Sequence, residues 1–182
     1  MRTRKALKIG ADAVEENDLE TRVSDAHHQA LKLWLRLLAC TNKMENEIRG
    51  RLRAKFDTTL PRFDLMAQLE RNPGGLKMNE LSQRLMVTGG NVTGITDQLE
   101  KEGLVVRASD PSDRRAFTVK LTPAGRSEFA KMAAVHEQWV IELFAGLNMA
   151  EKEQAYRLLA KLKLGLQKVS LASQNNREEK RR

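Results

Sequence analysis

The chain opens without a hydrophobic period and then settles into one. Residues 1–23 mix charged, polar and apolar side chains at no fixed spacing, which reads as a flexible N-terminal arm. Ser24-Asp25 offers a helix cap, after which Leu31, Trp34, Leu38, Thr41, Met44, Ile48, Leu52 and Phe56 recur every three or four residues. That spacing predicts one long amphipathic helix. Leu33, Leu37 and Cys40 widen its apolar stripe, so the helix has two neighbours. Pro61 suits the first turn of a second helix holding Phe63, Leu65, Met66 and Leu69, which Asn72-Pro73-Gly74-Gly75 ends. A short third helix over residues 77–87 carries Met78, Leu81 and Leu85 on one face. Thr88-Gly89-Gly90 reads as a tight turn. Residues 91–103 predict a fourth helix, with Val92, Ile95 and Leu99 inward and Gly103 as its stop.

The period then drops to two. GLVVRAS, residues 103–109, is apolar and β-branched, and farther on Phe117, Val119 and Leu121 alternate with Thr118, Lys120 and Thr122. These are two strands of a hairpin, with Asp110-Pro111 at its turn. Helical spacing returns in Phe129, Met132, His136, Trp139 or Val140, Leu143 and Leu147. A last helix, capped at Asn148 with acidic residues in its first turn, carries Leu158, Leu159, Leu162, Leu166 and Val169. Residues 171–182 read as a disordered, solvated tail. The fold class is therefore mainly α with a small two-stranded β wing. Residues 61–121 form a winged helix-turn-helix DNA-binding domain, and residues 24–60 and 122–170 form a helical dimerisation region.

Charge changes the picture through placement. The net charge of +8 suggests an anionic partner. Residues 24–60 hold seven basic against four acidic side chains, whereas residues 61–125 hold nine against eight. A nucleic-acid reading therefore rests on a few groups. On the fourth helix Gly90, Thr93, Gly94, Asp97 and Lys101 fall opposite the apolar stripe, with Asn91 and Gln98 at one edge. Glycine inside a helix costs up to about 1 kcal/mol against alanine, and close approach to another surface is a reason to accept it. Thr88, Asn91 and Thr93 are short hydrogen-bonding groups suited to base edges or phosphates. In the hairpin, Arg114 and Arg115 near the turn suit a narrow, strongly negative minor groove. Asp113 is expected to orient a neighbouring arginine, with Arg107 on the other strand a candidate. Asp97 either accepts from a cytosine amino group or pairs with a wing arginine.

The stretch MNELSQRLMVTGGNVTGITDQLEKEGLVVRASDPSDRRAFTVKLTPAG, residues 78–125, resembles the MarR family of bacterial transcriptional regulators. The carrying positions are Leu99, Glu100, Gly103, Leu104, Val105 and Arg107, then Asp110, Asp113, Arg114 and Arg115, then Leu121, Thr122 and Gly125. Helix order extends the resemblance over residues 24–169. It implies a homodimer interlocked through its first and last two helices, reading a palindromic double-stranded DNA operator. It also implies repression relieved by a small molecule, with the wing arginine on Arg115, the wing aspartate on Asp113 and the recognition-helix aspartate on Asp97.

The effector implied is a small anionic aromatic compound, an aryl acid or its coenzyme A thioester. Arg36, Cys40, Lys43, Arg62 and Arg71 are the candidate contacts, with Arg49 another nearby charge. An alternative is oxidant sensing through Cys40, the single cysteine, although a buried, inert thiol is the favoured reading. An enzyme finds no support. His27 and His28 are adjacent and point apart, His136 lies on an apolar stripe, and no zinc-protease motif, nucleophile elbow or phosphate loop occurs. No cofactor is expected. Without an apolar run of roughly 18 residues or an apolar core behind the basic start, neither a membrane span nor a secretory signal is expected. A cytoplasmic protein is the expectation.

Overall fold

Helix α1 (Gln29–Phe56) ends where Asp57 turns left-handed, with φ 47°. Asp57 N–H bonds back to the Arg53 carbonyl, and α2 (Leu60–Glu70) starts with Pro61 in its first turn. The computed structural model describes residues 28–110 and 113–179, with side chains described for residues 28–108 and 117–168. The expected N-terminal arm and the Ser24-Asp25 cap lie outside the described residues.

After α2 come β1 (Leu76–Lys77), α3 (Met78–Leu85), α4 (Gly89–Lys101), β2 (Val105–Asp110), β3 (Asp113–Leu121), α5 (Pro123–Leu143) and α6 (Met149–Glu179). Chain contacts divide these into two units, Met1–Gly125 and Arg126–Arg182. Within one chain α1 groups with the first unit, in which its buried Leu52 lies. Its expected partnership with the C-terminal helices concerns an assembled dimer.

The first unit is a helix-turn-helix followed by a sheet. The sheet has three antiparallel strands in the order β1-β3-β2, one more than the hairpin expected. The added strand pairs Leu76 with Val119 and Lys77 with Thr118. Two residues are too short to show a period, so β1 left no pattern to read, and the third helix begins one residue later than expected. It also ends earlier, because Met86 takes a left-handed conformation, φ 53°. Ser82 closes that turn: its hydroxyl donates to the Val87 carbonyl at 2.6 Å, and its carbonyl accepts the Val87 N–H at 3.2 Å. Gly89-Gly90, expected as the turn, is instead the first turn of α4. Thr88 caps that helix, its side-chain oxygen accepting the Asn91 N–H at 3.4 Å.

The core of this unit follows the expected stripes, with Leu76 of β1 added and Phe117 left exposed at the outer end of its strand face. Leu52, Phe63, Leu65, Met66, Leu69, Leu76, Leu81, Val92, Leu99, Val105, Val119 and Leu121 are buried. Each such side chain contributes about 1.5–3 kcal/mol through removal from water. Thr96 joins them, an addition to the expected face of α4. Its hydroxyl donates to the Val92 carbonyl at 2.8 Å, which makes a buried threonine tolerable.

In the second unit Phe129, Met132 and Trp139 are buried, as the stripe on α5 required. His136 is half-buried, and burial lowers its pKa below 6.5. The helix stops at Leu143 rather than reaching Leu147. Asn148 caps α6 reciprocally with Glu151: Asn148 N–H donates to the Glu151 carboxylate at 2.8 Å, and Glu151 N–H donates to Asn148 Oδ1 at 3.0 Å. The backbone of α6 stays helical to Glu179, beyond the point where a disordered tail was expected. Residues 171–179 contain no glycine or proline and include Leu171, Ala172, Gln174, Arg177 and Glu178, all good helix formers. Among the described residues no helix is long and apolar enough to cross a membrane.

Candidate nucleic-acid interface

The amphipathic division of α4 places the predicted residues on one exposed side. Val92, Ile95 and Leu99 face the core. Thr88, Gly90, Asn91, Thr93, Gly94, Asp97, Gln98 and Lys101 are exposed. A β-carbon built on Gly90 or Gly94 would meet nothing within 4 Å. Nothing among the described residues therefore requires glycine at these two positions. The Thr93 hydroxyl donates to the Gly89 carbonyl at 3.0 Å, so its polar group is satisfied within the helix.

Arg107 behaves differently from its expectation. On β2 it lies two residues from buried Val105, on the strand face that meets α4. Its guanidinium bonds Asp97 and Glu100, and its backbone N–H donates to Glu100 at 3.0 Å. The hydrogen bond that it donates to Asp97 raises its pKa against partial burial, with the charge of Glu100 adding to the effect. Arg107 thus fastens α4 to the wing. Strand register sets it opposite Val119, while Asp113 lies opposite Asp110 beyond an irregularity at Ser109/Asp110. Arg107 joins Asp97 and Glu100, so Asp97 pairs with an arginine of the wing strand in the free chain, and the suggested Asp113–Arg107 partnership falls on a side chain outside the described residues. The side chains of Asp113, Arg114 and Arg115 lie outside the described residues. Their backbone opens β3.

The five effector candidates are shared between α1 and α2. Arg36, Cys40 and Lys43 are exposed along α1. Cys40 is free and exposed rather than buried, because the apolar face of α1 that carries it, with Leu33 and Trp34, is itself open in the single chain. Arg49 pairs with Asn46 and Glu45. Arg62 is bound to Glu102 through both terminal nitrogens. Arg71 follows α2 and lowers the pKa of Asp64, although burial and the charge of Glu45 outweigh it and raise that carboxyl above 3.8. None of the five lines the small cavity of about 60 Å³ among Pro61, Asp64, Leu85, Val87 and Ile95.

A helix-turn-helix whose second helix bares a polar, glycine-rich side, backed by a three-stranded wing, defines a winged helix-turn-helix protein. The MarR family model matches residues 56–116. An uncharacterised HTH-type transcriptional regulator of Bacillus cereus is 33% identical over 133 residues, covering 71% of this chain and 86% of that protein. The crystal structure of a MarR family transcriptional regulator from Silicibacter pomeroyi is 33% identical, with a TM-score of 0.67, over 79% of this chain and 99% of that one. A mutant MarR from E. coli complexed with operator DNA is 25% identical, with a TM-score of 0.65, over 76% of this chain and 99% of that one. The chain belongs to the MarR family and is a DNA-binding transcriptional regulator.

Proposed function

We propose that this protein is a cytoplasmic, ligand-responsive repressor that binds a palindromic operator as a homodimer. A small anionic aromatic effector, an aryl acid or its coenzyme A thioester, releases it. The exposed side of α4, with Thr88, Gly90, Asn91, Thr93, Gly94 and Asp97, enters the major groove, and the wing residues Asp113, Arg114 and Arg115 lie along the minor groove. Arg107 supports both by joining them. The operator-bound relative of the same fold supports this reading. The observation that carries it is the exposed polar side of α4, Thr88, Asn91, Thr93 and Asp97 with Gly90 and Gly94 open between them, opposite its buried stripe.

That open space yields two effects of opposite sign. Gly94→Ala should stabilise the protein by up to about 1 kcal/mol, because alanine is the better helix former and meets no neighbour. The same methyl should hold the helix off the groove and weaken operator binding by about 1 kcal/mol. Thermal unfolding and operator titration on one sample measure both. A Gly94→Ala protein that binds its operator at full strength removes this face of α4 from the interface.

The dimer is supported by apolar surface left bare in the single chain. Leu33 and Trp34 on α1 are 55% and 58% exposed, and Tyr156 and Leu158 on α6 are 73% and 61% exposed. Light scattering at micromolar concentration should give twice the chain mass, and a monomer would sink the dimeric reading. For the effector, the net charge of +8 favours an anion. It must bind the DNA-incompetent form more tightly, since equal affinity for both forms shifts nothing. The operator titration repeated with aryl acids and their thioesters tests this.

A further inference from the structure

Arg62 stands in the first turn of α2, just after the Asp57–Thr58 turn. Its Nη1 donates to Glu102 Oε1 at 2.8 Å and its Nη2 bonds Oε2. The two residues are 40 positions apart, and Glu102 is the C-cap of α4. The Arg62 side chain is only 18% exposed, whereas Arg51, in a pair that stays within one helix, is 30% exposed. Its Nε is buried and has no acceptor among the described residues. Among the described residues Glu102 is thus the acceptor of both terminal nitrogens of the guanidinium.

We propose that the Arg62–Glu102 pair is a latch that positions α4 for operator recognition. The inference rests on the reading that α4 enters the groove. Polar attachments hold α4 in addition to its apolar face. Thr88 caps its start, the Thr96 hydroxyl meets Met78 of α3, Arg107 fastens Asp97 and Glu100 to β2, and Arg62 fastens its end to α2. Past Glu102 the chain turns through Gly103, at φ 73°, directly into β2. A helix of this length spans about 20 Å, so a tilt of roughly 5° about its C-terminal end carries its first residues by nearly 2 Å. That displacement is enough to break hydrogen bonds to base edges. Arg62 and Glu102 are thus positioning residues, acting on DNA through α4.

The sign of the effect separates a latch from an ordinary surface charge. Removing a solvated carboxylate near DNA raises affinity for any duplex. Removing Glu102 as a latch lowers affinity for the operator while leaving non-specific binding unchanged or stronger. The experiment compares the full-length protein with Glu102→Gln, with Glu47→Gln as a control for charge, and with the swap Arg62→Glu/Glu102→Arg. Each is titrated with the tightest duplex that the wild type selects from a random pool and with a scrambled duplex of the same composition. Circular dichroism and light scattering confirm fold and assembly. Glu102→Gln should bind the selected duplex about tenfold more weakly than Glu47→Gln does, with no loss on the scrambled duplex, and the swap should recover most of the difference. Should Glu102→Gln fail to fold, a folded swap with recovered preference for the selected duplex supports the latch, and an unrecovered one overturns it. Equal or tighter binding by a folded Glu102→Gln overturns it too. If the wild type shows no preference between the duplexes, the groove reading fails and the latch falls with it. If the wild type has that preference while Glu102→Gln matches Glu47→Gln, the latch alone falls.

Discussion

Replacing Gly125 with alanine should unfold the first unit. A β-carbon at this position would stand 1.9 Å from the Leu104 carbonyl oxygen and 2.8 Å from its carbon. Both are backbone atoms, so no side chain can swing away. Nor can the two segments separate easily. Thr122 N–H donates to the Leu104 carbonyl at 3.1 Å, the Thr122 hydroxyl donates to the Gly103 carbonyl at 2.7 Å, and that hydroxyl accepts the Gly125 N–H at 2.9 Å. These bonds tie the end of β3 and the start of α5 to the corner between α4 and β2. Relief of the clash breaks several of them at once and shifts buried Val105 and Leu121, which pair across the same strands. The cost should exceed about 3 kcal/mol, a large part of the stability of an ordinary domain. Denaturant unfolding of Gly125→Ala measures it. A midpoint within error of the wild type would mean that the Leu104 and Gly125 backbones do not meet as described. Gly50→Ala is the contrasting control, because a β-carbon there meets nothing within 4 Å.

What could be read from the residues alone follows from the range of the interactions concerned. The inward face of α4 was legible because Val92, Ile95 and Leu99 repeat at helical spacing within a single element. Strand β3 was legible because alternation shows over six residues, and β2 because it is an apolar, β-branched run. β1 was not, since two residues cannot display a period. The start of α4 was misread because Gly89-Gly90 has turn chemistry, and the Thr88 cap and the Ser82 closure that make it helical lie just before it. The ion pairs divide in the same way. Asp97 was open to a cytosine amino group or a wing arginine, and its pairing with Arg107 depended on the packing of β2 against α4. The Arg62–Glu102 pair spans 40 positions and two elements with no shared period, so no local pattern announces it. Exposure of Cys40 depends on what covers α1, which the residues of α1 do not state.

Arg115→Ala should be the most damaging single change for operator binding, by about 1–3 kcal/mol, as for one good nucleic-acid contact. Arg115 is the third residue of β3, and we propose it as the wing arginine on the strength of the family resemblance. Guanidinium is a fixed charge with five donors, suited to a narrow groove of strong negative potential. Arg114→Ala should cost less and act through a phosphate, which lowers the slope of log affinity against log salt by roughly one unit. Asp113→Ala carries the decisive sign. The net charge is +8, and this substitution makes the protein more positive. A solvated aspartate near DNA only repels phosphate, so its loss would tighten binding. An aspartate that orients a wing arginine has the opposite effect, since its loss frees that arginine to wander and adds entropy to the cost of docking it. Asp113→Ala should therefore weaken operator binding. Titration at fixed salt, with assembly checked by light scattering, reads the sign directly, and tighter binding would reduce the wing tip to an ordinary charged turn.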